Sequence, residues 1–261
     1  MSAIKIVFKR EKIFIPLVLG LVCLFTSCSP VLKVEVAPNG DISYSVESAV
    51  APVIEDTVRS FTGAGENLPL FNEAQILQAL NAAGLEQVSV DAPSNSSLVV
   101  SAQIDRVAPQ TMAIANLGSG LVCEDMVPQV AGAIGYCHSN QAGQRKLVLT
   151  ISPEVLQQVL AIMPMETVEY LDLLSAPILT GETMSASEYI DLISVVYGDS
   201  VAKELKGAAI KILVTVPSPA RSASVSDPSG MTRVKGKVVE FTLGLPELLS
   251  NPAPTEFTVQ Y

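Results

Sequence analysis

From Val31 the chain alternates: Leu32, Val34 and Val36 are apolar with mostly charged residues between them, Asn39-Gly40 interrupts, and Ile42, Tyr44 and Val46 resume the period of two. Residues two apart share one face of a strand, and Asn-Gly accepts the positive backbone angles of a tight turn. The pattern therefore predicts a β-hairpin with one buried face. Helical spacing follows from about Ala51 to Phe61 and from Asn72 to Ala83, where Gly84 is the stop. A second strand pair is expected over Gln87 to Asp91 and Leu98 to Val107, turned by Ser94, Asn95 and Ser96.

Between Ala108 and Gln144, Gly, Pro and apolar residues mix without a clean period, and the expectation is a long flap or an irregular crossover. Order resumes with a strand from Lys146 to Ile151, then Ser152-Pro153 opens a helix to Met163. Helices from Glu166 to Leu174 and from Ser185 to Tyr197 follow; Glu188, three residues after Ser185, completes a capping box, and Gly198 ends the run. The polar faces of these helices carry Glu166, Glu169, Asp172, Glu188 and Asp191, whereas helices lying in a membrane surface bear Lys and Arg. Their apolar stripes are accordingly read as packing on a sheet. Strands from Ala208 to Val216 and Thr232 to Leu243, joined by a Ser/Pro-rich loop over Pro217 to Gly230, precede a helical turn at Pro246 to Leu249 and a last strand from Glu256 to Tyr261. Strand pairs followed by helices predict an α+β fold: a mostly antiparallel sheet of about seven or eight strands with helices on one face, forming one domain over 28–261.

The first residues have a different character. Lys5, Lys9, Arg10 and Lys12 surround a single Glu11, and Ile13 to Phe25 is almost unbroken apolar sequence ending in Thr26-Ser27-Cys28. A basic stretch, a short apolar run and small residues make an export signal. The run is shorter than the ~20 apolar residues that a membrane-spanning helix needs. Thr26-Ser27-Cys28 resembles the box that ends a bacterial lipoprotein signal, in a relaxed form similar to that of spirochaete lipoproteins, with Phe25 where an aliphatic residue is usual. The resemblance implies removal of residues 1–27 and attachment of a diacylglycerol to Cys28. Cys23 follows Leu21 and Val22, which are too bulky for the cleavage position. The alternative is an ordinary secretory signal with an incidental Cys28. Ser29 after the cysteine, in enteric-type sorting, implies the periplasmic face of the outer membrane. Ser29 and Pro30 are the whole spacer before the first strand, a reach of roughly 3.3–3.6 Å per residue, so the body is expected to rest against the bilayer.

The full chain carries 16 Lys and Arg against 26 Asp and Glu, a net charge of −10; the leader holds four of the bases and one of the acids, leaving the exported part more acidic still. Such a chain repels nucleic acid, whose partners show a basic footprint. The local exception, Arg233, Lys235 and Lys237 at alternate positions, is read as the solvated face of a strand. Absence of Trp argues against a stacking platform for sugars or bases. With Cys23 removed and Cys28 acylated, Cys123 and Cys137 remain as a pair in a compartment that permits disulfides, and they are expected to join. Closing that ~15-residue loop contributes roughly 3 kcal/mol on the chain-entropy account. The alternative is two buried thiols.

His138 is the single histidine, which removes multi-histidine metal sites; Cys123, Cys137 and His138 as a metal set is the weaker reading beside the disulfide. Gly118-Ser119-Gly120 lacks the spacing of a nucleophile elbow and the Lys of a phosphate-binding loop. No cofactor, no metal and no catalysis are expected. The stretch Lys237 to Leu249 followed by Glu256 to Tyr261 resembles, in pattern, the LppM-type bacterial lipoproteins, a group linked to lipid binding. The resulting expectation is a membrane-anchored, non-enzymatic binding protein for a lipid or other hydrophobic ligand, enclosed near the helices of 153 to 197. The alternative is a structural or protein-interaction lipoprotein of the envelope, with a solid core and an exposed apolar patch.

Overall fold

The computed structural model describes residues 29–62, 65, 69–82, 87–104, 122–125, 134–138, 143–153, 177 and 180–261. The expected first hairpin is β1 (Val31–Val36) and β2 (Ile42–Ala49), paired antiparallel from Val36↔Ile42 to Val31↔Glu47. Gly40 takes φ 96° in the turn, the conformation that a side chain would strain. Helices α1 (Pro52–Thr62) and α2 (Glu73–Ala82) follow; Asn72 caps α2 by accepting from the Gln75 amide through Oδ1 at 3.1 Å. Strands β3 (Ser89–Ser94) and β4 (Ser97–Ile104) form the second pair about Asn95-Ser96. The stretch expected to be irregular holds β5 (Val122–Asp125) and β6 (Ile134–His138), and β7 (Arg145–Ile151) comes next. The helices expected over 153–163 and 166–174, and the stop at Gly84, lie outside the described residues.

The capping box is in place on α3 (Ala186–Tyr197). Ser185 Oγ accepts from the Glu188 amide at 3.2 Å, and the Ser185 amide donates to Glu188 Oε2 at 2.8 Å. Those bonds to the charged form hold the Glu188 carboxyl below its usual range. Gly198 does stop α3, its amide donating to the Ser194 carbonyl, but it also starts α4 (Asp199–Gly207), a helix that the sequence reading passed over. Val201, Ala202 and Leu205 give α4 its buried side. Strand β8 (Ala209–Thr215) follows, and β9 (Ser222–Val225) occupies the segment expected to be a loop. The strand expected from Thr232 to Leu243 is two strands, β10 (Met231–Lys235) and β11 (Val238–Gly244), reversed at Gly236 with φ 61°. The phase of the apolar positions carries this correction: Val234 is even-numbered, while the buried Val239, Phe241 and Leu243 are odd, so one straight strand would divide them between faces. Helix α5 (Leu245–Ser250) and β12 (Thr255–Gln260) end the chain.

The α+β class holds, with the strands distributed over two sheets. One has seven strands in the order β10-β11-β8-β1-β2-β4-β3 and the other five in the order β5-β6-β7-β12-β9. All described pairings are antiparallel except β1 with β8, which run parallel from Val31↔Lys211 to Glu35↔Thr215. One cluster of buried side chains includes the inner face of the large sheet (Val34, Tyr44, Val100), that of the small one (Tyr136, Leu149, Phe257) and the helical Ile54, Leu80, Tyr189 and Leu205. Phe241 of β11 meets Phe257 of β12 edge to face, ring centroids 5.5 Å apart, so this pair joins the two sheets. Inside α1, the buried Arg59 is satisfied by Glu55 Oε1 at 2.7 and 2.9 Å and by the Gly65 carbonyl at 2.7 Å.

Phe241→Ala and Phe257→Ala are each expected to lower unfolding free energy by about 3 to 5 kcal/mol in denaturant titrations. Because the rings touch, the double variant is expected to lose about 1 kcal/mol less than the sum of the single losses. Strict additivity would mean that the sheets do not couple through these rings.

Candidate functional site

The outer face of the seven-stranded sheet is built by the side chains that alternate with the core. Register aligns them in rows across the strands. One row runs Lys235, Val238, Thr215, Glu35, Ser43, Gln103; the next runs Arg233, Glu240, Leu213, Lys33, Ser45, Ser101; the third runs Met231, Thr242, Lys211, Val31, Glu47, Val99. Small side chains at the centre leave an open groove of about 510 Å³, whose walls include Glu35, Ser43, Ser45, Ser101, Gln103 and Thr215. Lys33 reaches diagonally across to Glu47 in an ion pair, with both side chains nearly half exposed. A pair so exposed adds little stability. Gln87, which also borders the groove, is held at φ 54°, a left-handed angle rare outside Gly, Asn and Asp.

The groove is open and mixed in character: the hydroxyls of Ser43, Ser45, Ser101 and Thr215, the amides of Gln87 and Gln103, the Glu35 carboxylate and the Lys33 ammonium lie beside the apolar Leu213 and Val238. The closed apolar cavity expected beside the helices of 153 to 197 would be bounded largely by residues outside those described. The described part of that region instead exposes Leu192, Val195 and Val196 along α3, with Val195 86% exposed. A second set of exposed apolar residues, Met231, Val234 and Val238, lies on the β10–β11 hairpin.

The candidate residues of the sequence reading are found on the smaller sheet. Cys123 of β5 stands directly opposite Cys137 of β6 in antiparallel register. His138 follows Cys137 immediately, so its side chain leaves the other face of the strand. It stacks on Tyr136, with centroids 6.4 Å and planes 23° apart. Cys137 and His138 therefore do not converge on one metal ion, and no group of three His, Cys, Asp or Glu gathers among the described residues. His138 is not among the residues lining the groove, although its Nδ1 is buried without a hydrogen-bond partner among the described residues. Cys28 precedes the described residues by one position. Arg233 and Lys235 are exposed on β10, and Lys237 is exposed in the turn, as expected of a solvated face. What sequence reading missed is the groove itself, because it depends on which strands become neighbours; the small residues Ser43, Ser45 and Ser101 alternating with buried apolar ones were its local trace.

The chain matches no protein-family model and no curated protein sequence. Among solved structures it bears a faint likeness to the folded domain of the LppM protein of Mycobacterium tuberculosis, determined by NMR, with 10% sequence identity, a TM-score of 0.36, and coverage of 96% of this chain and 94% of that one. At that similarity the likeness fixes neither fold nor function.

Burial raises the pKa of Tyr44 and of Tyr261, the latter also through the neighbouring Tyr136 against a smaller opposing effect of Arg145, and pushes Tyr197 up to about 12. Raised values mean that the folded state keeps protons that the unfolded chain releases near pH ~10. The associated stability is complete below that pH and is lost as pH rises through the folded values. Phenolate absorbance should therefore show a late group of tyrosines whose ionisation coincides with unfolding. Titration of every tyrosine near pH ~10 in a still-folded protein would contradict this burial.

Proposed function

We propose that the chain is an exported lipoprotein, anchored through acylated Cys28, that works without catalysis as a protein-interaction module at a membrane surface. The observation that carries the reading is the position of β1. It begins three residues after Cys28, lies in the middle of the seven-stranded sheet, and is fixed from its first turn of chain, since the Pro30 carbonyl accepts from the Lys211 amide at 3.0 Å. A lipid on Cys28 would thus hold the sheet itself, with a spacer of only Ser29 and Pro30. Two acyl chains or more anchor firmly where one binds marginally. Exposed apolar residues on α3 and on the β10–β11 hairpin suit contact with another macromolecule.

The opposed cysteines support the exported location. In this reading they form a disulfide, passing two electrons and two protons to a disulfide donor of that compartment, and so pin the edge strand β5 to β6.

Cys28→Ala is expected to abolish the lipid increment in intact mass and to release the protein from membranes; retention of both would overturn the anchor. Native mass spectrometry of the protein extracted from membranes is expected to show the acylated chain with no further stoichiometric lipid. A second lipid held at one per chain would replace the interaction reading with the hydrophobic-ligand one.

Alkylation of the denatured protein without reductant is expected to add nothing, and after reduction to add two groups. Two adducts before reduction would rule out the disulfide.

A further inference from the structure

A series of hydrogen bonds brings cations from separate strands to one end of the fold. The Ala220 amide donates to the Gly236 carbonyl at 2.9 Å, so Arg221 comes beside Lys235 and Lys237 at the β10–β11 turn, and β9 lies against β10. The Arg221 amide in turn donates to the Gln260 carbonyl at 2.7 Å, and Tyr261 and Arg145 exchange amide-to-carbonyl bonds of 3.0 Å. Arg145 completes the line, its Nη1 donating to the Pro38 carbonyl of the β1–β2 turn at 3.3 Å. Because β12 runs between β7 and β9, Arg145 and Arg221 stand two strand spacings apart, roughly 10 Å. Lys146 follows Arg145 and leaves the other face of β7.

Charge at this end opposes that of the chain, whose net value is −10. Arg221, Lys235 and Lys237 are exposed, and Arg145 and Lys146 are partly so. The carboxylates at the same end, among the described residues, are Glu35, Asp41 and the α-carboxyl of Tyr261. Glu35 lies three strands from Lys235, roughly 14 Å away, and Asp41 accepts from the Asn39 side-chain amide. The ion pairs among the described residues are Lys33 with Glu47 and Arg59 with Glu55, so none of these five cations is paired. Exposed Val234 and Val238 adjoin them at the turn. The register places this end away from the start of β1: Val238 aligns with Thr215 and Glu35, four residues along the strand from Val31. That is a rise of roughly 13 Å.

We infer that this arc of cations, running from Lys235 and Lys237 through Arg221 to Arg145 and Lys146, is a docking surface for an acidic face of a partner protein. The guanidinium groups of Arg145 and Arg221 each take a carboxylate of the partner in fork geometry. Lys235 and Lys237 extend the attraction, while Val234 and Val238 meet apolar side chains between the partner's acids. Unpaired cations on an otherwise acidic body select acidic partners and speed their approach. The inference deepens the protein-interaction reading, and its placement away from the bilayer rests on the acylated Cys28; the charge arc itself does not. Exposed Lys and Arg also serve simply as solvated surface, and the experiment separates these roles.

The test uses the acylated full-length protein in phosphatidylcholine nanodiscs and labelled probes followed by fluorescence anisotropy: a peptide alternating Glu and Leu, its Lys and Leu counterpart, and the anionic glycan hyaluronate. The acidic peptide is expected to bind, to do so more tightly than the other two, and to dissociate as salt approaches ~1 M, where screening acts within about 3 Å. Arg145→Glu/Arg221→Glu is expected to weaken it by about tenfold or more. Lys235→Glu/Lys237→Glu, confined to the exposed turn, is expected to weaken it similarly and guards against misfolding of the first variant. Lys203→Glu/Lys206→Glu on the exposed side of α4 changes net charge equally and is expected to alter binding by less than about twofold. Equal weakening by the α4 variant, no binding of the acidic peptide, or tighter binding of hyaluronate or of phosphatidylglycerol vesicles would overturn the inference. Cys28→Ala is expected to leave peptide affinity unchanged, so a failed anchor and a failed docking surface give different results.

Discussion

The fold depends on the pairing of β1 with β8. β1 sits at the centre of the large sheet, bonded antiparallel to the strand that follows it and parallel to one that arrives more than 170 residues later. Leu32, Val34 and Val36 bury its inner side completely enough that a slip of one residue would place Lys33 and Glu35 in the core. Parallel neighbours require a crossover, and here the crossover contains α1 to α4 and three of the five strands of the smaller sheet. Such non-local pairing carries a high loop-closure cost and folds slowly. It also means that the sheet is complete only when the whole chain is present.

From that joint the remaining layers follow. β11 lies beside β8 and brings Phe241 against Phe257, so the second sheet is held to the first through one aromatic contact and the shared core. Leu245, at the start of α5, donates its amide to the Ala208 carbonyl at 2.9 Å, which ties the end of β11 to the strand entry of β8. The outer face is mostly polar because the buried residues on these strands alternate largely with Ser, Thr, Gln, Lys, Arg and Glu, Val31, Val99, Leu213, Met231 and Val238 being the apolar exceptions. The groove is thus a consequence of strand order and not of any local motif.

Local chemistry was legible where it acts over a few residues. Asn39-Gly40 predicted its hairpin, and Ser185 with Glu188 predicted the start of α3 with its reciprocal bonds. Gly198 was read as a stop, which it is, but a glycine at φ 91° can join two helices as well as end one. The strand break at Gly236 was visible in the shift of apolar positions from even to odd, a signal outweighed by the length of the β-prone run. β9 escaped because Ser222 to Val225 is short and half polar, and it becomes a strand only by pairing with β12. That Cys123 and Cys137 stand opposite each other was not legible in their spacing and needed the register. Strand order, the second sheet and the groove are long-range properties, absent from any window of sequence.

The central claim is that the sheet stands on the membrane by the start of β1 and presents the β10–β11 turn away from it. Spin labels at Met231 and at Lys237, placed one at a time in the acylated protein in nanodiscs containing a gadolinium headgroup lipid, test this directly. Met231 shares the row of Val31 and Lys237 lies beyond the row of Glu35, so paramagnetic relaxation is expected to be stronger at Met231. Equal relaxation at the two positions, or stronger relaxation at Lys237, would contradict the account.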